Sequence, residues 1–187
     1  MKRQLNVLLL VFAAANLFLV NNTSAQDSHP TIYTVDDIIE KASVLVGQTV
    51  TVKGKVQHIC QQTGRKLFLE TADGKNTFRF NAGDEIDKFN ENVLDSTVVA
   101  TGIVSEQRLS LEDISKQEAS LIQAQKTITV ADHCTSEAKA NGENTATTPL
   151  QRIQALKDKL KRQIENGKNS YLSFYSINNT NSYSILK

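Results

Sequence analysis

From Thr49 to Cys60 the chain alternates apolar and polar side chains almost without interruption. Val50, Val52, Val56, His58 and Cys60 share one parity with Gly54, while Thr49, Thr51, Lys53, Lys55 and Gln57 share the other. A period of two over that length describes a strand with one buried and one wet face. A strand this long must bend, and Gly54 is where a barrel strand does so.

The flanking pattern extends the β reading. Thr34 is a candidate N-cap for a short helix, with Asp36 and Asp37 favourable in its first turn and Ile38, Ile39, Ala42 and Leu45 on its apolar side. After a loop at Gln61–Gly64, strands are expected at Arg65–Thr71 and Asn76–Phe80, joined by a hairpin turn at Ala72–Lys75. Residues 84–93 predict a short helix using Ile86, Phe89, Asn90 and Val93, followed by a strand at Thr97–Val104. Ser110 and Asp113 have capping-box spacing at the head of another helix, and Thr127–Ala131 is a candidate closing strand. Three strands, a short helix, a fourth strand and a late fifth is the order of an OB barrel. The fold class expected is mainly β with α: a small five-stranded OB-type β-barrel with flanking helices. Thr148, Pro149 and Gln151 then start a helix striped by Leu150, Ile153, Leu156, Leu160 and Ile164, and Tyr171–Ile177 with Ser182–Leu186 predict a C-terminal β-hairpin.

Ahead of all this, Lys2 and Arg3, the apolar run Leu5–Val20 and the polar exit Asn21–Ala25 read as a signal peptide cut after Ala25. The apolar run is shorter than the ~20 residues a spanning helix needs. The expected location is therefore periplasmic, with no transmembrane segment in the mature chain. The expected organisation is a signal peptide at 1–25, an OB-fold domain at 26–134, a linker at 135–148 and a helix–hairpin unit at 149–187. Removing residues 1–25 turns the net charge from +1 to −1. Residues 26–134 hold 11 basic and 16 acidic residues, whereas 135–187 hold 8 basic and 4 acidic. Nucleic-acid binding rests on many phosphate contacts, so an acidic main domain argues against that role.

Between Val50 and Asp73, the segments Gly54-Lys55-Val56, Gly64-Arg65-Lys66, Phe68-Leu69 and Asp73-Gly74 resemble the first three strands of OB domains related to the anticodon-binding type. His58-Ile59-Cys60 followed by Gly64, together with Tyr171–Tyr183, is similar to a narrower group, the uncharacterised exported OB-fold proteins of Gram-negative bacteria. The resemblance spans about residues 34–187 and implies the barrel and the exported setting, but no activity. A more remote likeness is to small periplasmic OB proteins that bind cations or small ligands.

Two sets of side chains could carry chemistry. His58 and Cys60 lie two apart on one strand, and His133-Cys134 follow the late strand. Two histidines and two cysteines suit zinc or copper, but the spacing is not that of a zinc finger. A Cys60–Cys134 disulfide is the first expectation in an oxidising compartment, with two reduced thiols as a third state. No other cofactor is expected. The second set is Lys53, Lys55, Arg65, Lys66 and Arg79, with Phe68 as a stacking platform, on the face across which OB domains bind ligands. A solvated face of interleaved charges explains the same residues without a ligand. Arg152–Lys168 is a basic helix suited to docking on the acidic barrel, or to an acidic membrane surface.

No catalytic constellation accompanies Cys60: a nucleophile also needs an orienting group and an oxyanion site. The expected function is an exported, non-enzymatic OB-fold binding or interaction module for a small ligand or protein partner. The alternatives are a periplasmic metal-binding protein and a single-strand nucleic-acid binder.

Overall fold

The structure, a computed structural model, describes residues 31–125, 135–142 and 148–186. In chain order it contains β1 (Ile32–Thr34), α1 (Val35–Leu45), β2 (Thr49–Ile59), β3 (Lys66–Glu70), β4 (Thr77–Ala82), β5 (Thr97–Ser110), α2 (Leu111–Gln125), α3 (Thr135–Ala140), α4 (Pro149–Glu165) and β6 (Tyr171–Ile185). The sheet order is β1-β2-β3-β4-β6-β5, and β2 pairs with β5 as well. Strands β2 to β6 therefore close into a five-stranded OB-type barrel, with β1 added parallel to β2. Closure removes the open edges that a flat sheet of this size would expose.

The barrel core follows the alternation read from β2. Val50, Val52 and Val56 are buried with Leu67, Leu69, Phe78, Phe80, Val98, Ala100 and Ile177. Burying one such side chain stabilises the fold by roughly 1.5–3 kcal/mol. Gly54 faces α1 across this core: a Cβ there would lie 2.6 Å from Val35 Cγ2 and 3.1 Å from Leu69 Cβ. Thr34 and Asp37 form a reciprocal capping box at the head of α1, and α1 packs through Val35, Ile38, Ala42 and Leu45. Ile39, expected on that buried side, is 42% exposed.

The alternation breaks once, at a place the sequence does not mark. A β-bulge lies between Val56 and His58, and register resumes with His58 opposite Phe68 and Ile59 opposite Leu67. One extra residue inverts the parity of everything after it. Ile59 therefore joins the barrel core, while His58 stands outside it beside the outward-facing Phe68.

The short helix expected over 84–93 is instead a loop with a single 3-10 turn at Glu91–Val93, capped by Asn90. Ile86, Phe89 and Val93 are buried all the same and plug one end of the barrel. Backbone amides and carbonyls of such a loop need partners, and side chains supply several. Arg65 reaches the carbonyls of Ala82, Gly83, Ile86 and Asp87, and the hydroxyl of Tyr183 accepts from Asn90 N at 3.0 Å.

The C-terminal hairpin is also corrected. Tyr171–Ile185 is one strand, not two, and it completes the same barrel as β2–β5. It runs antiparallel to β5 on both sides of the Asn178–Asn181 tract, where the register shifts and Asn179 takes a positive φ of 49°. Gly102 permits the close approach there, since a Cβ would lie 2.5 Å from Ile177 Cγ2. The candidate strand at 127–131 lies outside the described residues, and the closing role belongs to β6.

Beyond the barrel, β5 continues past Val104 and pairs with Tyr171–Ser176 as a two-stranded ribbon. Helices α2 and α4 cover one face of it. Leu109, Ile114, Ile153, Leu156, Leu160, Leu172 and Phe174 form this second core. The capping boxes Ser110/Asp113 and Thr148/Gln151 start the two helices as the sequence predicts. The basic helix α4 thus packs on its own chain, and Lys157 pairs with Glu118 of α2. Within the expected linker, Thr135–Ala140 is helical. Among the described residues, no helix is long and apolar enough to cross a membrane.

Candidate functional site

The basic set expected on the outer face is dispersed over separate tasks. Lys55 lies between Glu70 at 3.3 Å and Asp95 at 3.7 Å. Arg65 is a loop clamp: its guanidinium donates to Ile86 O (3.1 Å), Asp87 O (2.8 Å), Ala82 O (3.3 Å) and Gly83 O (3.1 Å). Lys53 is exposed on β2, and Lys66 is half-buried at the head of β3. Phe68 does point outward, opposite to Leu67 and Leu69, but it is fully buried, with the His58 ring 5.7 Å away and Arg79 opposite it on β4. A buried ring offers no stacking platform, which corrects the expectation for Phe68.

Helix α3 packs on β4, and its Lys139 Nζ donates to Gly74 O at 3.2 Å. Ser136 of the same helix is buried. The chain thus lays one of its own helices against β4, one of the strands across which OB domains bind ligands.

The His/Cys set is only half described. Cys60 is buried just past the end of β2, and burial pushes the His58 imidazole below its ordinary pKa. A base held neutral by desolvation loses stability as pH falls below its ordinary range. His133 and Cys134 lie outside the described residues. Among the described residues, no three His, Cys, Asp or Glu side chains cluster as metal ligands would.

A different site is assembled where the barrel closes. β4 and β6 run parallel and align at two ladder pairs, Phe80–Ile177 and Ala82–Thr180. Ahead of those pairs the strands part, leaving a cavity of about 280 Å³ between Thr77 and Phe78 of β4 and Phe174 and Tyr175 of β6. Ile39 of α1, Lys139 of α3 and Lys159 of α4 form its rim. A second cavity of about 340 Å³ adjoins it, lined by Gln163, Lys168, Asn169 and Leu172. Lys159 and Ser173 line both, so the two form one groove along β6.

The chemistry of this groove is one-sided. Three lysines line it, at positions 139, 159 and 168, and no acidic side chain does so among the described residues. Lys159 Nζ sits 5.9 Å from the centre of the Phe174 ring, which steadies the cation at the mouth. On β4, Thr77 is 2% exposed, and its Oγ1 has no hydrogen-bond partner. Burying a hydroxyl unbonded costs roughly 1–3 kcal/mol, so Thr77 is a destabilising point in the groove wall.

On the opposite face of the ribbon, Glu106 accepts from Ser173 Oγ at 2.6 Å and from Arg108 Nε at 2.9 Å. These two contacts hold the Glu106 carboxyl below its ordinary range. The Arg108 guanidinium carbon sits over Tyr171, 4.6 Å from the ring centre, and Tyr183 meets Phe89 edge-on. Tyr171 and Tyr183 are therefore built into the ribbon and the barrel plug.

Sequence reasoning missed the groove because its lysines sit in the expected linker and in a basic helix assigned to docking. The legible signal was the excess of basic residues after position 134. No protein-family model matches the chain, and no curated protein matches it either.

Proposed function

We propose that the protein is an exported OB-fold binding module, without a reaction of its own, whose ligand seat is the groove at the β4–β6 seam. The ligand is anionic. The carrying observation is the set of three lysines lining a groove that no described acid enters. Ligand pockets are concave, largely preformed and apolar, with a few convergent polar groups. Ile39, Phe78 and Phe174 supply apolar wall here, while Lys159 and Lys139 supply the convergent groups. The outer face of β3–β4 is the weaker candidate, since Phe68 is buried and Arg65 is committed to the loop.

The test is calorimetric titration of the purified chain with matched pairs of small molecules, each a carboxylate and its neutral amide. The carboxylates bind, the amides do not, and Lys159→Met weakens binding. Equal affinity within each pair, or no effect of Lys159→Met, refutes the assignment. The exported setting carries a second expectation, a Cys60–Cys134 disulfide. Thiol titration of denatured, unreduced protein tests it, and two titrating thiols rule it out.

A further inference from the structure

Three lysines call for an anion without saying which kind, and the backbone of β6 narrows the choice. Gln163 Nε2 donates to Tyr171 O at 2.6 Å, so that carbonyl points away from β5 and toward α4. Backbone groups in a strand alternate sides from residue to residue. The N–H and C=O of Ser173 and Tyr175 therefore point the same way as Tyr171 O. Among the described residues, nothing pairs with this edge of β6 until Ile177 meets Phe80. Leu172 and Ser173 line one cavity, and Ser173, Phe174 and Tyr175 line the other. The unpaired edge is thus one wall of the groove along its length.

An unpaired edge is a template for another strand, and proteins usually blunt or cover theirs. Among the described residues, only the first carbonyl is capped, by Gln163. Tyr171–Tyr175 offers roughly 17 Å of edge at about 3.3 Å per residue, the span of a short peptide strand. A small anion would engage the lysines and leave this edge unused. A peptide would engage both: main-chain hydrogen bonds give affinity, and alternate side chains give specificity.

Building on the anionic-ligand reading of the groove, we infer that it takes an extended acidic peptide, which adds a strand along Tyr171–Tyr175 and sets its carboxylates against Lys159 and Lys168. Lys139 completes the positive rim at the far end, beside Thr77. The occupant is acidic because every charged side chain lining the groove among the described residues is a lysine.

Fluorescence anisotropy with the full chain tests this. The probe is a labelled, end-capped peptide of alternating glutamate and valine, about six residues long to match the edge. Two backbone N-methylated versions, one at odd and one at even positions, keep every charge but each remove one side's donors. A version with lysine for glutamate and the small dicarboxylate glutarate complete the set. The parent peptide binds, the lysine version does not, and one N-methylated peptide but not the other loses about tenfold or more in affinity. The double variant Lys159→Met/Lys168→Met weakens the parent by about tenfold as well. If both N-methylated peptides match the parent, or glutarate binds as tightly as the peptide, strand addition is overturned and the anionic-ligand reading stands. If neither peptide nor glutarate binds, both are overturned. The N-methylated comparison uses the unaltered protein, so no folding defect enters it.

Discussion

Replacing Arg65 separates a loop clamp from a ligand contact. Its guanidinium holds four carbonyls of the segment joining β4 to β5, at Ala82, Gly83, Ile86 and Asp87. Hydrogen bonds to a charged donor contribute about 1.5–3 kcal/mol when well buried. The Arg65 side chain is 43% exposed, so each is discounted below that range. Three of the four carbonyl contacts are part-buried, and the Asp87 carbonyl can rehydrate. At about 1 kcal/mol for each part-buried bond, Arg65→Met costs about 3 kcal/mol. The aliphatic stem is kept, so packing is little changed. For a domain of this size that is a fall of roughly 6–12 °C in Tm. Scanning calorimetry and urea unfolding read the loss, and Arg65→Lys recovers less than half of it because one ammonium cannot span four carbonyls. A loss below about 0.5 kcal/mol, the range of ordinary surface substitutions, refutes the clamp and returns Arg65 to the pool of ligand-facing charges.

Two further outcomes concern single groups. Thr77→Val keeps the shape of the side chain while deleting the unbonded hydroxyl, so the unliganded protein gains about 1 kcal/mol in urea unfolding; a loss of that size instead means the hydroxyl has a partner. The Asp37 carboxyl is held down to about 2 by the backbone and hydroxyl of Thr34, with Lys41 adding to it. Its folded pKa lies below the unfolded value near 3.8, so its contribution is full above that value and lost as pH falls toward about 2. Carboxyl carbon NMR shows Thr34→Ala moving the Asp37 titration upward, and an unmoved midpoint counts against the capping box.

The inward side of β2 up to Val56 was legible because a period of two has one meaning in a chain of Val and Thr. The bulge after Val56 was not. An inserted residue carries no compositional mark, so His58 read as inward and Ile59 as outward, the reverse of what the pairing with Phe68 and Leu67 requires. Asn178-Asn179-Thr180-Asn181 misled for a different reason. Each of those residue types favours a turn on local grounds. The tract is instead drawn out by β5, which pairs with β6 on both sides of it, and the positive φ of Asn179 absorbs the irregularity. The extension of β5 beyond Val104 was hidden because Ser105–Arg108 lacks apolar alternation, and that ribbon is held by helices far away in the sequence. The groove has no local motif at all. Thr77 and Lys159 meet only because β6 closes the barrel beside β4, and that pairing depended on reading residues 171–185 as one strand.

The seam is where barrel closure depends on the fewest aligned pairs. β2 and β5 share seven consecutive pairs, from Thr49–Ile103 to Lys55–Thr97, whereas β4 and β6 align at two. Stability within a fold is not uniform, and segments with few paired neighbours open first. The Gly83 amide, bonded across the seam to Thr180 O at 2.9 Å, therefore exchanges with solvent through smaller openings than the amides of Val50, Val52 and Ala100. A strand laid along Tyr171–Tyr175 bridges toward Thr77 and closes the gap ahead of the seam. Ligand at a hundred times its Kd adds about 2.7 kcal/mol to the bound state by mass action. Because the contacts are made at the seam, protection there rises by more than that of the β2–β5 pairs. Hydrogen exchange with and without the glutamate–valine peptide measures this difference. A uniform rise across the barrel means that the peptide binds without bridging β4 and β6, and places the strand elsewhere on the surface.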